Sequence, residues 1–128
     1  MIHPRSLGAQ VFGGSIQGMG MAMTQRWVFD PQWGVPFANR FYTARPPGFL
    51  DIPADLKWGA VGIPDPQDPV GAKGIGEPPV GAGAAALTSA IADAMGGRCV
   101  CRTPLTPDVL LAEIEGRPMY GRLEQHGG

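Results

Sequence analysis

Charged side chains are scarce in this chain of 128 residues, where they make up 16% of the sequence against roughly 25% in ordinary soluble domains. The net charge is −1, and the Lys and Arg residues are scattered singly along the chain. Proteins that bind nucleic acid carry a clustered basic surface, so a nucleic-acid partner is not expected. A surface with so little charge instead indicates that another chain covers part of it.

Long apolar runs are also missing from the sequence. None approaches the roughly 18 residues that mark a candidate transmembrane helix, so no membrane span is predicted. The N-terminus lacks the basic-then-apolar order of a secretory signal. Together these features predict a cytoplasmic location.

Cysteine and histidine are rare, with two residues of each type. Cys99 and Cys101 are separated by one residue, and a disulfide between them would close a strained ring, so reduced thiols are expected. His3 and His126 lie near opposite ends of the chain, whereas a structural zinc site needs four ligands at recognisable spacing. No metal site built from protein ligands is therefore predicted.

Glycine is abundant, and it marks the first predicted helix, over residues 8–28. One apolar stripe at helical spacing defines this helix: Phe12, Ile16, Met19, Met23 and Trp27. Five glycines lie in or beside it, and each weakens a helix by up to ~1 kcal/mol relative to Ala. The helix must therefore be held by packing, either against another helix at close range or against a cofactor, because glycine permits both approaches.

The remaining segments predict an α+β fold. Short strands are expected over 37–43 and 56–63, with a further β segment near 98–102 that would place Cys99 and Cys101 on one face. A second helix is predicted over 80–95, stopped by two glycines. Its predicted buried face comprises Leu87, Ala90, Ile91, Ala94 and Met95.

A third, shorter helix is predicted to start after Thr106 as N-cap, with Pro107 at its first position, and to end at Gly116. The expected fold is thus a small mixed domain with two longer helices, one short helix, a few strands and long loops rich in Gly and Pro. Residues 1–116 are predicted to form this unit, and residues 117–128 an exposed, flexible tail.

The loop over residues 64–79 is the most informative stretch, because long irregular loops are usually functional or disordered. Glu77 precedes a proline, which predicts an extended backbone, and Pro79 fixes φ where the second helix starts. The helix dipole there favours an ionised carboxylate by ~0.3–1 kcal/mol. Such a carboxylate suits a general base, although the same residue is also compatible with an exposed capping Glu in a Gly/Pro turn.

The sequence GAKGIGEPP at 71–79, followed by a helix of small residues, resembles the end of the molybdenum-binding subunit of the xanthine dehydrogenase/aldehyde oxidase family. The stretch QVFGGSIQGMG at 10–20 is similar to the glycine-rich helix of that family. Residues 41–53, with Tyr42, Asp51 and Pro53, resemble its connecting segment, and residues 103–107 its closing turn. The resemblance covers about residues 8–115 and implies a C-terminal segment of a molybdopterin-binding domain.

The resemblance implies an oxidoreductase that hydroxylates an aldehyde or N-heterocycle with water as oxygen source. Glu77 matches the family's catalytic base, which takes a proton from water or hydroxide on molybdenum. Gln10 matches the glutamine that hydrogen-bonds the pterin cofactor, and an amide offers both a donor and an acceptor for that purpose. Gln10 is also compatible with an ordinary polar residue at a helix start, and Gln17 is a weaker candidate by proximity alone.

Catalytic subunits of this family are several times longer than the chain, so the rest of the site must come from elsewhere. The implied molybdopterin would be bound jointly with the remaining molybdopterin-binding subunit. Iron–sulfur clusters would lie on partner subunits, because two cysteines cannot supply a four-cysteine cluster site. FAD is expected on a partner subunit as well. By itself the chain is expected to be inactive; the alternatives are a non-catalytic structural or interaction domain that retains the scaffold, or a truncated inactive fragment.

Overall fold

The computed structural model describes residues 1–117 of the chain. Helices connected by long irregular segments make up the described fold. In chain order the elements are α1 (Pro4–Met23), α2 (Phe41–Ala44), a 3-10 turn (Phe49–Asp51), α3 (Pro78–Ala94) and α4 (Pro107–Glu115). The two longer helices and the short third helix predicted from the sequence are thus confirmed as α1, α3 and α4.

Helix α1 begins and ends earlier than the sequence pattern predicts. His3 caps it, because its Nδ1 accepts a hydrogen bond from the backbone N–H of Ser6 at 3.0 Å, and Pro4 occupies the first helical position. At the other end, the N–H groups of Thr24 and Gln25 both donate to the carbonyl of Gly20. This shared acceptor closes the helix, so Trp27 lies beyond it rather than on its apolar stripe.

Helices α1 and α3 pack backbone against backbone at two glycines. A Cβ atom added to Gly18 would lie 2.2 Å from the carbonyl oxygen of Val80, and one added to Gly83 would lie 2.6 Å from that of Ser15. Close helix–helix packing therefore accounts for these glycines. The fully buried positions of α1 are small residues, whereas the other four residues of the predicted stripe are only half-buried; the buried residues are Gly8, Gly18, Gly20 and Ala22.

The predicted buried face of α3 is only partly confirmed. Leu87, Ile91 and Met95 are half-buried, and Ala90 and Ala94 are exposed. The helix does stop where two glycines follow, and both adopt positive φ angles of 70° and 86°. The described part of the chain therefore covers the apolar face of α3 only in part.

The predicted strands are not confirmed. Within residues 1–117 the β structure is a single isolated antiparallel bridge between Phe29 and Pro36. The segment 37–43 runs into α2, while 56–63 and 98–102 lack regular structure. A strand requires a neighbouring strand to satisfy its backbone, and the described chain supplies none beside these segments. The α+β class is therefore not supported, and the described fold is helical with irregular connections.

A small apolar core joins α4 to the end of α1. Leu105 is only 2% exposed, and its N–H donates to the carbonyl of Ala22 at 2.6 Å. Val109 and Ala112 of α4 are also buried. Thr106 and Gly116 occupy the predicted cap positions of α4, with Gly116 in the left-handed conformation that favours glycine.

Most of the predicted tail, residues 118–128, lies outside the described residues. None of the helices in the described part of the chain is long and apolar enough to span a lipid bilayer.

Candidate functional site

The structure brings Gln10 next to the loop that carries Glu77. Gln10 lies in the second turn of α1, and its side-chain Nε2 donates a hydrogen bond of 2.7 Å to the carbonyl oxygen of Gly76. Glu77 follows directly and is the N-cap residue of α3. The two residues that the sequence singled out, far apart along the chain, thus meet through the backbone of Gly76.

The proline after Glu77 predicted an extended backbone for this residue. The structure instead gives it φ −123° and ψ 24°. Its carbonyl accepts a hydrogen bond of 3.0 Å from the N–H of Val80. This turn must form because Pro78 and Pro79 occupy the first two positions of α3 and supply no N–H of their own. The requirement to close the first helical turn therefore overrides the extended preference at Glu77.

The Glu77 side chain is exposed and does not cap its own helix. Within residues 1–117 its carboxylate takes part in no hydrogen bond or ion pair. A carboxylate without an internal partner is available to accept a proton from a bound molecule.

Bare backbone surrounds the Gln10–Gly76 contact. Gly76 has φ +57°, a conformation that side-chain-bearing residues rarely adopt. A Cβ atom added to Gly74, or to Gly13 one turn along α1 from Gln10, would meet no atom within 4 Å. The main chain at Gly13 and Gly74 is therefore not covered by side chains of the described residues.

The loop that precedes the site is built on two aspartates that the sequence analysis did not identify. The Asp68 Oδ1 atom accepts hydrogen bonds from the N–H groups of Val70 and Ala72, at 2.9 and 3.3 Å. Asp65 Oδ1 accepts one from the N–H of Gln67 at 2.9 Å. Each aspartate thus bonds the backbone two residues on, which is typical of Asx turns. The repeated Asp-Pro pairs at 65–66 and 68–69 were the available signal.

Asp65 also connects this loop to the approach to Glu77. Its Oδ2 atom lies 3.0 Å from Nζ of Lys73, and its side chain is largely shielded from solvent. The backbone N–H of Gln67, and secondarily Lys73, hold the pKa of the Asp65 carboxyl below its ordinary value. The loop is thus ordered by local hydrogen bonds, and Asp65 serves this order in its ionised form.

The other candidates from the sequence lie apart from this contact. Gln17 is exposed, and its side chain makes no hydrogen bond within the described residues. Cys99 and Cys101 are exposed free thiols on an irregular segment, not small apolar residues on one face of a strand. In residues 1–117 no group of three or more His, Cys, Asp or Glu residues is arranged to hold a metal ion.

Comparisons with known proteins agree on one family. A family model described as a molybdopterin cofactor-binding domain matches residues 1–53, which include all of α1. The chain is 30% identical, over 91% of its length, to subunit gamma of the 6-hydroxypseudooxynicotine dehydrogenase complex of Paenarthrobacter nicotinovorans. It is 33% identical, over 89% of its length, to the xanthine dehydrogenase molybdenum-binding subunit of Escherichia coli O157:H7.

A third relative is the aldehyde oxidoreductase of Megalodesulfovibrio gigas, which is 31% identical over 83% of the chain. The chain spans only 15%, 15% and 11% of the lengths of these three relatives. Matches over about nine-tenths of the chain necessarily include Glu77, so the likeness extends beyond α1 to the loop and to α3.

Proposed function

The chain belongs to the molybdenum hydroxylase family, and on that premise we propose that it contributes the catalytic base, Glu77, to a molybdopterin-dependent oxidoreductase whose site another chain completes. The observation that carries this proposal is the 2.7 Å hydrogen bond from Gln10 Nε2 to the Gly76 carbonyl. It joins the helix matched by the molybdopterin-binding model to the loop that presents the carboxylate.

The residues around this contact suit molybdopterin. A pterin has several donors and acceptors on its edge, and the Gln10 amide retains an acceptor oxygen and a second N–H after bonding Gly76. The open backbone at Gly13 and Gly74 leaves space for a planar group. Gln10 and the neighbouring main chain would therefore hold one edge of the cofactor, and the other contacts would come from the partner chain.

The bound molybdenum cofactor would supply the two-electron oxidation of an aldehyde or N-heterocycle. Glu77 would take a proton from the water that provides the oxygen atom, with one of its carboxylate oxygens as acceptor. This role requires a positioned carboxylate that is not already neutralised by a neighbour, and Glu77 has no such partner in residues 1–117. Proton transfer to a positioned base contributes roughly 10²–10⁴-fold to rate.

The surface of the chain supports a partner that covers it. Large apolar side chains are strongly exposed, among them Phe49 at 93%, Phe41 at 85% and Trp27 at 81%. Large apolar side chains with this degree of exposure are consistent with a surface that another chain covers.

The proposed covering partner is the remainder of the molybdopterin-binding protein, of which the relatives contain far more than this chain matches. Iron–sulfur clusters and FAD would lie on further subunits and carry the electrons away. In this arrangement residues 1–116 form the C-terminal segment of the molybdopterin-binding domain, and the assembly is cytoplasmic.

The proposal is tested by co-expressing the chain with the remaining molybdopterin-binding subunit and the iron–sulfur partner, and purifying the complex. Glu77→Gln should lower kcat for an aldehyde or N-heterocycle by about 10²–10⁴-fold, with the molybdenum and pterin content unchanged. Glu113→Gln is the matched control, because the Glu113 carboxylate makes no hydrogen bond or ion pair within residues 1–117, and Arg98 bonds only its backbone carbonyl. It should leave both quantities unchanged.

Two results would count against this function. Full activity in Glu77→Gln would contradict the assignment of Glu77 as the catalytic base. A native complex that is fully loaded with molybdenum but oxidises neither substrate class would favour the alternative, a structural or interaction domain that retains the scaffold.

A further inference from the structure

We infer that Gln10 is a positioning residue for Glu77: its side-chain N–H holds the Gly76 carbonyl and thereby fixes the backbone from which the carboxylate projects. This inference rests on the proposed role of Glu77 as the base. It assigns to Gln10 a task within the chain itself, in addition to the proposed contact with the pterin.

The register between α1 and α3 places Gln10 at this point. Gln10, Gly14 and Gly18 are spaced four residues apart and so lie on one face of α1. A Cβ atom on Gly14 would lie 3.0 Å from Cβ of Pro79, and the equivalent atom on Gly18 would lie 2.2 Å from the Val80 carbonyl. This face of α1 therefore contacts the start of α3 at Gly14 and Gly18. It contacts the loop before α3 through the side-chain amide of Gln10.

The loop depends on this bond because little else holds it. In the described chain the Gln10 contact is the only hydrogen bond made by residues 74–76. Two of these three residues are glycine, which restricts the backbone least. Without the Gln10 bond, Gly76 would be free to turn, and Glu77 would turn with it. Misplacement of a catalytic group by about 1 Å can cost roughly 10²-fold in rate.

The same bond sets what Gln10 can offer a cofactor. One amide N–H is committed to Gly76, so the acceptor Oε1 and the second N–H remain available to a cofactor.

A replacement residue that keeps the length of the Gln10 side chain but removes the donor would break the bond while altering little else in α1. Glu supplies such a substituent when it is ionised, because a carboxylate only accepts hydrogen bonds.

The test compares Gln10→Glu with the native full-length chain by NMR, without cofactor. At pH 7 the Gly76 carbonyl ¹³C resonance should shift towards its solvent-exposed position. The Val80 amide, which donates to the Glu77 carbonyl, should exchange with solvent about 3- to 10-fold faster. The Leu110 amide, which donates to Thr106 in α4, should keep its native exchange rate.

A pH change separates positioning from a general loss of structure. Below roughly pH 4 the introduced Glu becomes protonated and can donate again, so the Gly76 resonance should return towards that of the native chain at the same pH. Gln10→Met, which has no donor at any pH, should not recover. Gln17→Glu, on the same helix but at a side chain without a described hydrogen bond, should match the native chain throughout. Gln10→Asn is a second variant that introduces no charge into α1. Its side chain is one carbon shorter, so it should also lose the contact with Gly76.

Several outcomes would overturn the inference: unchanged Gly76 and Val80 signals in both Gln10→Glu and Gln10→Asn, equal loosening at Leu110, or an unprotected Val80 amide in the native chain. These measurements need neither cofactor nor turnover. A Glu77→Gln complex that keeps full activity would therefore refute the base assignment without affecting the evidence for the Gln10–Gly76 contact.

Discussion

A single methyl group at Gly18 should separate the two helices that carry the site. The Cβ atom of Gly18→Ala would lie 2.2 Å from the carbonyl oxygen of Val80 and 2.7 Å from the backbone nitrogen of Ala84. Both obstructing atoms belong to the backbone of α3, so no side-chain rotation can relieve the overlap. Helix α3 must move away from α1, and the Gln10–Gly76 bond must lengthen with it.

The expected cost follows from two opposing terms. Overpacking a tight contact costs about 1–3 kcal/mol, and here the upper end applies because the clash is with main-chain atoms. The better helix propensity of Ala offsets up to about 1 kcal/mol. The free energy of unfolding should therefore fall by about 2 kcal/mol, which for a chain of this size lowers Tm by roughly 8 °C.

Urea and thermal unfolding followed by far-UV circular dichroism measure this difference. Gly13→Ala is the matched control, because it lies on the same helix and its Cβ would meet no atom within 4 Å. Only the propensity term applies there, so this variant should be more stable by up to about 1 kcal/mol. A Gly18→Ala variant that equals or exceeds the native chain in stability would refute the proposed backbone contact between α1 and α3.

Two further variants test the loop and the small core. Because the pKa of the Asp65 carboxyl is lowered by its hydrogen bonds, its stabilising contribution is present above roughly pH 4 and is lost as the pH falls through the lowered value. Asp65→Asn should therefore reduce the acid dependence of the urea midpoint, and an unchanged pH profile would contradict this role. Leu105 is 2% exposed, so Leu105→Ala should lower the free energy of unfolding by about 2–5 kcal/mol, measured by urea denaturation. A loss below about 1 kcal/mol would show that Leu105 does not belong to a packed core.

Helix α4 could be predicted with both its ends because these ends are encoded locally, whereas the bounds predicted for α1 were displaced towards the C-terminus. Thr106, Pro107 and Gly116 delimit α4 by capping chemistry that needs no knowledge of the rest of the fold. The strands could not be predicted in the same way. The apolar residues of 56–63 suit a strand, but strand formation depends on a neighbouring backbone, and the described chain places none alongside.

The site shows the same division. The sequence motifs predicted Glu77 and Gln10 as separate candidates, but their connection through Gly76 depends on a positive φ angle and on the docking of α1 against α3. Neither can be read from residue spacing. The aspartate turns at Asp65 and Asp68 were not predicted, although each aspartate precedes a proline in the sequence and bonds the backbone two residues on.

The most direct test of the account is the rate at which substrate reduces the molybdenum centre in a single turnover of the complete complex. Rapid mixing with an aldehyde or N-heterocycle isolates this step from electron transfer to the partner subunits. With equal molybdenum content, Glu77→Gln should slow the reduction by about 10²–10⁴-fold, while Glu113→Gln should match the native rate. Equal rates for Glu77→Gln and the native complex would contradict the assignment of Glu77 as the base.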